Sequence, residues 1–465
     1  MNMRAIRPYH LFAHGGSWYV INIEGMLAKA IDPMTADGLA QAAAAHGDPL
    51  APWLAERLAG MELLPEEGEQ PKAKHCVKKA PMPIVNMSLF LTQSCNLQCI
   101  YCYGDGGGYG QGGDMTEQTA FQAVDWLLDQ AGNIKKLHIG FFGGEPFLNF
   151  PLMKKVAAYA RDRARERGKD IAFHTTTNAT LLNDETIDFI KEYKLDVMVS
   201  FDGTKELQDT QRPYANGEGS YDTVVHNIRT LLAAVPEVPG HAVIVGDTDP
   251  KGVKDAMLTI GFREVSVLPA SISLFAVGSG VAGAGRDIRQ LLTELEEEGE
   301  AWLRLIRVRD KEALQQLKAR GGLYQGIVAL LHNRKKYHAC GAGLGLAAVA
   351  ADGDIYLCHR FVGQETYKLG SVFAPGLSRD EYLASPVTEN ALCAACFARY
   401  YCAGGCKHDN AGSGGAVTTP SADVCTLRRR ELEIAAAVVS RLDEADRAFL
   451  VADDIIPPKP CPFDF

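Results

Sequence analysis

The chain has no long apolar run. Its most apolar stretch, 265–284, is interrupted by Pro269 and by several glycines and serines, so none of the 465 residues reads as a membrane span. A basic excess is missing too: 47 Lys and Arg against 57 Asp and Glu leave a net charge of −10. Arg428-Arg429-Arg430 is short and followed by acidic residues, and a chain without a basic face is a poor non-specific binder of nucleic acid. Met1 to Phe12 holds no apolar core of a secretory signal. The expectation is a cytoplasmic protein, where thiols stay reduced and twelve cysteines point to metal rather than to disulfides.

At 47% apolar and 22% charged residues the composition is that of a globular protein, and the length calls for two or three domains. Trp18, Tyr19, Val20 and Ile21 are strand formers beside a His14-Gly15-Gly16 break, which predicts a hairpin. Residues 33–45 and 49–58 read as helices separated by His46-Gly47-Asp48. Residues 65–83 are charged, proline-bearing and aperiodic, hence a linker, with Cys76 a bystander thiol within it. Strands are then predicted at 84–91, 136–142, 171–177, 196–201, 240–245 and 264–268, alternating with helices at 116–131, 151–167, 184–193, 221–234 and 250–260. Repeated βα units imply a parallel sheet flanked by helices. Residues 286–333 continue as long helices broken at Gly321-Gly322.

The first strand of that series leads into Cys95-Asn96-Leu97-Gln98-Cys99-Ile100-Tyr101-Cys102. Thiolates are the usual ligands of iron–sulfur clusters, and a C-x3-C-x2-C loop folds three of them toward one point. Three cysteines hold three irons of a 4Fe–4S cluster and leave the fourth open. The competing readings are a zinc knuckle or three buried thiols. A structural zinc takes four ligands, and no Cys or His occurs in the twenty residues after Cys102.

With an aromatic residue before its last cysteine, the motif resembles the signature of the radical S-adenosylmethionine (radical SAM) enzymes. That resemblance implies that Cys95, Cys99 and Cys102 hold the catalytic cluster and that its open iron binds the amino and carboxylate groups of SAM. Tyr101 would lie against the adenine, and an electron from the cluster would cleave SAM to methionine and a 5′-deoxyadenosyl radical. It also implies the fold class, α/β, as a partial (β/α)6 TIM-like barrel with its sites at the C-terminal ends of the strands.

Gly143-Gly144-Glu145-Pro146 follows the second predicted strand at that end. Glycines let backbone groups approach a ligand, and Glu145 supplies an anion for an ammonium. The tetrapeptide matches the family's GGEP motif, which implies that Gly143, Gly144 and Glu145 hold the SAM amino group. Thr175-Thr176-Thr177-Asn178 and Ser200-Phe201-Asp202-Gly203 end the third and fourth strands. By resemblance Asn178, Ser200 and Asp202 face the ribose and methionyl parts of SAM, and Arg212 pairs with its carboxylate. Each is otherwise a capping or turn residue. The glycine-rich loop 104–113 is either a lid or a plain connection.

No cysteine lies between Cys102 and Cys340, and then they crowd. Cys340 is followed by twelve residues to Gly353 and four more to Cys358, then by Cys393-x2-Cys396-x5-Cys402-x3-Cys406, and finally by Cys425. This resembles the SPASM domain, the auxiliary-cluster extension of peptide-modifying radical SAM enzymes, at all seven positions. It implies two further 4Fe–4S clusters, three in all. Cys393, Cys396, Cys402 and Cys425 would complete one, and Cys340, Cys358 and Cys406 would hold the other with a corner left for a substrate thiolate, unless Cys461 or Cys76 closes it. Zinc ribbons are the rival, though the 5- and 3-residue spacings lack a ribbon's symmetry.

The domain expectation is a winged-helix-like module resembling leader-peptide-binding RiPP recognition elements, with its linker, over 1–80. The radical SAM core would span 81–310, and the SPASM domain with its C-terminal helix and tail 311–465. The resemblance implies a maturase that forms a Cys thioether cross-link in a ribosomal precursor peptide, of the sactipeptide and ranthipeptide type. Its partners would be that peptide, whose leader adds a strand to the module's sheet edge, and an electron donor such as flavodoxin or ferredoxin, with no nucleic acid and no membrane. Carbon–carbon cross-linking, epimerisation, cross-linking of a protein subunit during cofactor maturation and formylglycine formation are the alternatives within the superfamily. A non-catalytic iron–sulfur or zinc scaffold that binds peptides is the alternative outside it.

Overall fold

A computed structural model describes residues 6–44, 50–64, 82–246, 248–270, 288–318, 322–383 and 385–458. Most of the expected linker with Cys76, the break at 46–48 and Cys461 in the tail lie outside them. The chain begins with an antiparallel meander, β1 (Tyr9–His14), β2 (Ser17–Asn22) and β3 (Leu27–Ile31). The predicted hairpin forms at Gly15-Gly16, both at positive φ (56° and 75°), as a tight primed turn requires. Alternation along β2 sends its side chains to two different cores. Val20 packs with Leu39, Leu54 and Leu58 of the helices Pro33–Ala44 and Pro52–Ala59. Tyr19 and Ile21 pack with Trp302, Ile306, Leu432 and Ile434 of the helices Ile288–Arg307 and Ala422–Ser440.

The predicted βα series forms β4 (Asn86–Thr92), β5 (Lys136–Gly143), β6 (Asp170–Thr177), β7 (Asp196–Ser200), β8 (Gly240–Ile244) and β9 (Val265–Pro269), each parallel to the next. Met87, Leu89, Leu137, Ile139, Phe141, Phe173, Val197 and Val199 alternate onto one face and are buried against the flanking helices. The opposite face carries Phe90, Phe142, His174, Ser200 and His241. Three strands join from the cysteine-rich region: β10 (Leu346–Val349) runs parallel to β4, and β11 (Asp354–Tyr356) and β12 (Lys368–Ser371) continue antiparallel. The result is one nine-stranded sheet, β12-β11-β10-β4-β5-β6-β7-β8-β9. Ile288–Arg307, expected in the barrel segment, packs instead into the second core with Ala422–Ser440. Among the described residues no helix is long and apolar enough to cross a membrane.

Candidate functional site

The C-terminal rim of the sheet is drawn together by backbone contact. A Cβ on Gly144 would sit 2.1 Å from the Ser94 carbonyl oxygen, and one on Gly143 (φ 143°) 2.0 Å from that of Thr92, so only glycine lets the end of β5 lie against the start of the cysteine loop. Glu145 N–H donates to Ser94 O at 2.9 Å. The loop 104–113 folds back onto this rim, with Tyr109 buried beside Phe90 and its hydroxyl 3.5 Å from Gly143 O. Gly104, Gly107 and Tyr109 anchor the loop to the rim, while residues 110–113 are exposed.

Glu145 is 1% exposed. Its carboxylate accepts from Phe147 N–H (3.1 Å), Thr177 Oγ1–H (2.8 Å) and Asn178 N–H (2.8 Å). Burial pushes the carboxyl up to about 7, against the pull of those three donors. No ion pair to it is formed among the described residues, so one lone-pair position has no donor and the ionised form has no cation inside the rim. An ammonium group fits that position.

Asn178 donates to Asn96 Oδ1 (2.9 Å), accepts from Thr180, and lies 3.8 Å from Cys95 Sγ; it organises the cysteine loop. Tyr101 donates to Asp202 Oδ2 at 2.7 Å. Asp202 is 0% exposed and also accepts from Gln211 and from Val243 N–H. Arg212, 5% exposed, brings Nε to 3.0 Å from Asp202 Oδ2 and its guanidinium to 5.2 Å from the Tyr101 ring. The Nε contact is an ion pair without hydrogen-bond alignment. Burial opposes the Arg212 charge, but Asp202, Tyr101 and Cys99 together outweigh it and keep the guanidinium protonated. The cation expected to face a ligand carboxylate is thus engaged by a carboxylate of the protein. Ser200 ends β7, half-buried, in register with His241 of β8.

The thiols gather in three groups. Burial pushes Cys95 up to about 12, with Glu145, Cys99 and Cys102 adding to the effect, and Cys99 to about 11. Cys358 is pushed up to about 12 by burial, with Cys340 and Cys406 adding. Cys393 is pushed up to about 11 by burial, then by Cys402, Cys396 and Cys425. Clustered thiols held this far above their ordinary value do not ionise in neutral water without a cationic partner, and a bound metal deprotonates them outright. Among the described residues no three His, Cys, Asp or Glu side chains converge tightly enough to share one ion. A single zinc needs sulfurs about 3.8 Å apart, from Zn–S bonds of about 2.3 Å. The donor set, thiolate throughout each group, is that of an iron–sulfur cluster.

Between the first two groups stand residues that no spacing pattern marked. Tyr103, directly after Cys102, is close enough to both Cys102 and Cys358 for either thiolate to disfavour its ionisation. Arg360 lies 5.3 Å from the Tyr103 ring and pairs with Asp409 at 3.0 Å, joining the segments after Cys358 and Cys406.

Residues 89–257 match the radical SAM superfamily. Over 135 residues the chain is 41% identical to the uncharacterized protein MJ0907 of Methanocaldococcus jannaschii, covering 29% of this chain and 44% of that one. Over 360 residues it is 21% identical to the serine-type anaerobic sulfatase-maturating enzyme of Klebsiella aerogenes, covering 72% and 82%. The chain spans less than half the length of the first curated relatives it matches, 44% and 38%. Two solved structures share the fold. Native anSMEcpe with bound AdoMet and Cp18Cys peptide has a TM-score of 0.61 at 17% identity, over 80% of this chain and 100% of that one. Streptococcus suis SuiB bound to precursor peptide SuiA has a TM-score of 0.51 at 15% identity, over 91% and 100%. At such identities the likeness is one of fold. Residues 89–257 are therefore a radical SAM domain, and the chain has the fold of the radical SAM enzymes.

Proposed function

We propose that the protein is a radical SAM enzyme that modifies a ribosomally made peptide by forming a thioether between a cysteine sulfur and a carbon of a neighbouring residue. Cys95, Cys99 and Cys102 hold the SAM-binding 4Fe–4S cluster in the core built by the βα strands. Cys340, Cys358 and Cys406, and separately Cys393, Cys396, Cys402 and Cys425, hold two auxiliary clusters in a C-terminal domain over 311–465. The observation that carries the reading is that Cys95 has Cys99, Cys102 and the buried carboxylate of Glu145 as its charged neighbours at the strand rim.

Bound there, SAM and its cluster would supply a 5′-deoxyadenosyl radical to take one hydrogen atom from the substrate carbon, and the auxiliary clusters would take up the second electron as the thiol gives up its proton and the C–S bond forms. The chain's own groups position that chemistry. Glu145 and the Gly143 and Gly144 backbone receive the SAM ammonium, Tyr101 walls the adenine with its hydroxyl fixed on Asp202, and Ser200 lies beside the ribose. Asn178 and Arg212 act one step back, on the cysteine loop and on Asp202. The module at 1–80 takes the leader of the precursor peptide, and a flavodoxin or ferredoxin delivers the electron. Peptides bound to solved structures of the same fold support a peptide substrate. A second reading, oxidation of a side chain in a sulfatase, is favoured by the 360-residue likeness to the Klebsiella enzyme.

Co-expression with a cysteine-bearing precursor peptide tests the reading. A product lighter by two hydrogens per bond, whose cysteine no longer reacts with an alkylating reagent, is expected. A lighter product with its thiol still reactive indicates carbon–carbon coupling, an unchanged mass with an inverted residue indicates epimerisation, and either outcome overturns the thioether.

A further inference from the structure

The ten described cysteines divide into groups of three, three and four. The group of Cys340, Cys358 and Cys406 therefore has no fourth cysteine among the described residues. Beside it stands His408, two positions after Cys406 on the helix Lys407–Gly412. It is 1% exposed, and neither of its ring nitrogens has a hydrogen-bond partner. Nδ1 comes to 3.5 Å from Asp409 Oδ1 without alignment, and that same oxygen is held by Arg360 at 3.0 Å.

The His408 ring stands edge-on to Phe361 (5.3 Å between centroids) and to Tyr103 (5.9 Å). Phe361 is three residues beyond Cys358, and Tyr103 adjoins that same thiol. The imidazole thus lies between the residues that follow Cys358 and Cys102. Buried polar atoms are almost always paired, and one that is not points to a partner outside the polypeptide. His338 is the instructive contrast, because it lies two residues before Cys340 and its Nδ1 is also buried and unpaired. His338, however, lines a cavity of about 20 Å³ with Lys407, Asn390 and Gly404, room enough for one water to satisfy it.

We propose that His408 is the fourth protein ligand of the cluster held by Cys340, Cys358 and Cys406. This rests on the reading of those cysteines as cluster ligands and names the group at the corner that reading left open. Imidazole ligates iron–sulfur centres alongside thiolate, and replacing a thiolate by a neutral nitrogen raises the reduction potential. It is also the ligand that a softer, anionic substrate thiolate displaces. The corner is thus closed in the resting enzyme and opened by the peptide's cysteine.

The test uses the full chain, reconstituted and reduced without SAM, with natural-abundance or isotopically labelled histidine. Pulsed EPR should detect imidazole nitrogen coupling on one cluster, changed by the label, retained in His338→Ala and absent in His408→Ala. His408→Cys should keep the full iron content, lose the coupling and lower the potential of that cluster alone, which separates ligation from misfolding. An iron-loaded wild-type protein without imidazole coupling, or coupling that survives in His408→Ala, overturns the proposal and leaves the cluster reading intact. A chain that binds no iron overturns both.

Discussion

Thr177 Oγ1 donates a 2.8 Å hydrogen bond to Glu145 Oε1, and through it the rims of β5 and β6 share one buried carboxylate. Because burial raises the folded pKa from 4.5 to about 7, the folded state retains a proton that the unfolded chain releases over that window. The ligand-free protein therefore loses stability as pH rises from about 5 to about 7. An ammonium ligand reverses this by pairing with the ionised form. The melting temperature of the ligand-free chain should fall more steeply over that range than that of Glu145→Gln. The gain on adding SAM should grow with pH in the wild type only. Calorimetric titration should show SAM binding weakened about tenfold or more in Glu145→Gln, ~1.4 kcal/mol.

Arg212 and Asp202 form a buried ion pair under Tyr101. Removing one partner strands the other charge, so Arg212→Met should lower unfolding free energy by about 3–5 kcal/mol in urea titrations. Adding Asp202→Asn to that variant should restore most of the loss. Were the Arg212 charge reserved for a ligand carboxylate, Arg212→Met would melt like the wild type and lose only SAM affinity.

The N-terminal sheet is tied to the second core by more than contact. Burial works against the Glu24 charge, but Arg399 at 2.5 Å, with Lys335 and Tyr400, holds its carboxyl below the ordinary range. His10 stacks on Phe397, between Cys396 and Arg399, with centroids 3.5 Å apart. Ile21→Ala should therefore cost about 2–5 kcal/mol, and limited proteolysis should then reach the helices Ile288–Arg307 and Ala422–Ser440. A chain lacking residues 1–80 should lose the cooperative melting of that core while the βα strands persist. Unaltered melting of the C-terminal half would mean the module docks loosely.

The six βα strands were legible because each pairs an apolar run with a turn signal and a following amphipathic helix. Leu346–Val349 was not, since four apolar residues among cysteines carry no period of their own and become a strand only where β4 offers its edge. The rim residues show the same divide. Their types and positions announced Asn178 and Arg212, but their partners, Asn96 and Asp202, are set by how the loops meet. The division of the cysteine field into two groups came from its resemblance to the SPASM pattern, not from spacing alone; Cys358 and Cys393 feel the neighbours that division names. Tyr103, Arg360 and His408 sit at no motif position, and only the approach of three distant segments gives them meaning.

The central claim is that Cys95, Cys99 and Cys102 carry the cluster on which SAM is cleaved. Its most direct test is release of 5′-deoxyadenosine by the anaerobically reconstituted, reduced protein supplied with SAM. The account predicts release by the wild type and none by Cys102→Ala, which should still hold about eight of about twelve iron atoms per chain in the other two groups. No release by the iron-loaded wild type, or undiminished release by Cys102→Ala, would contradict it.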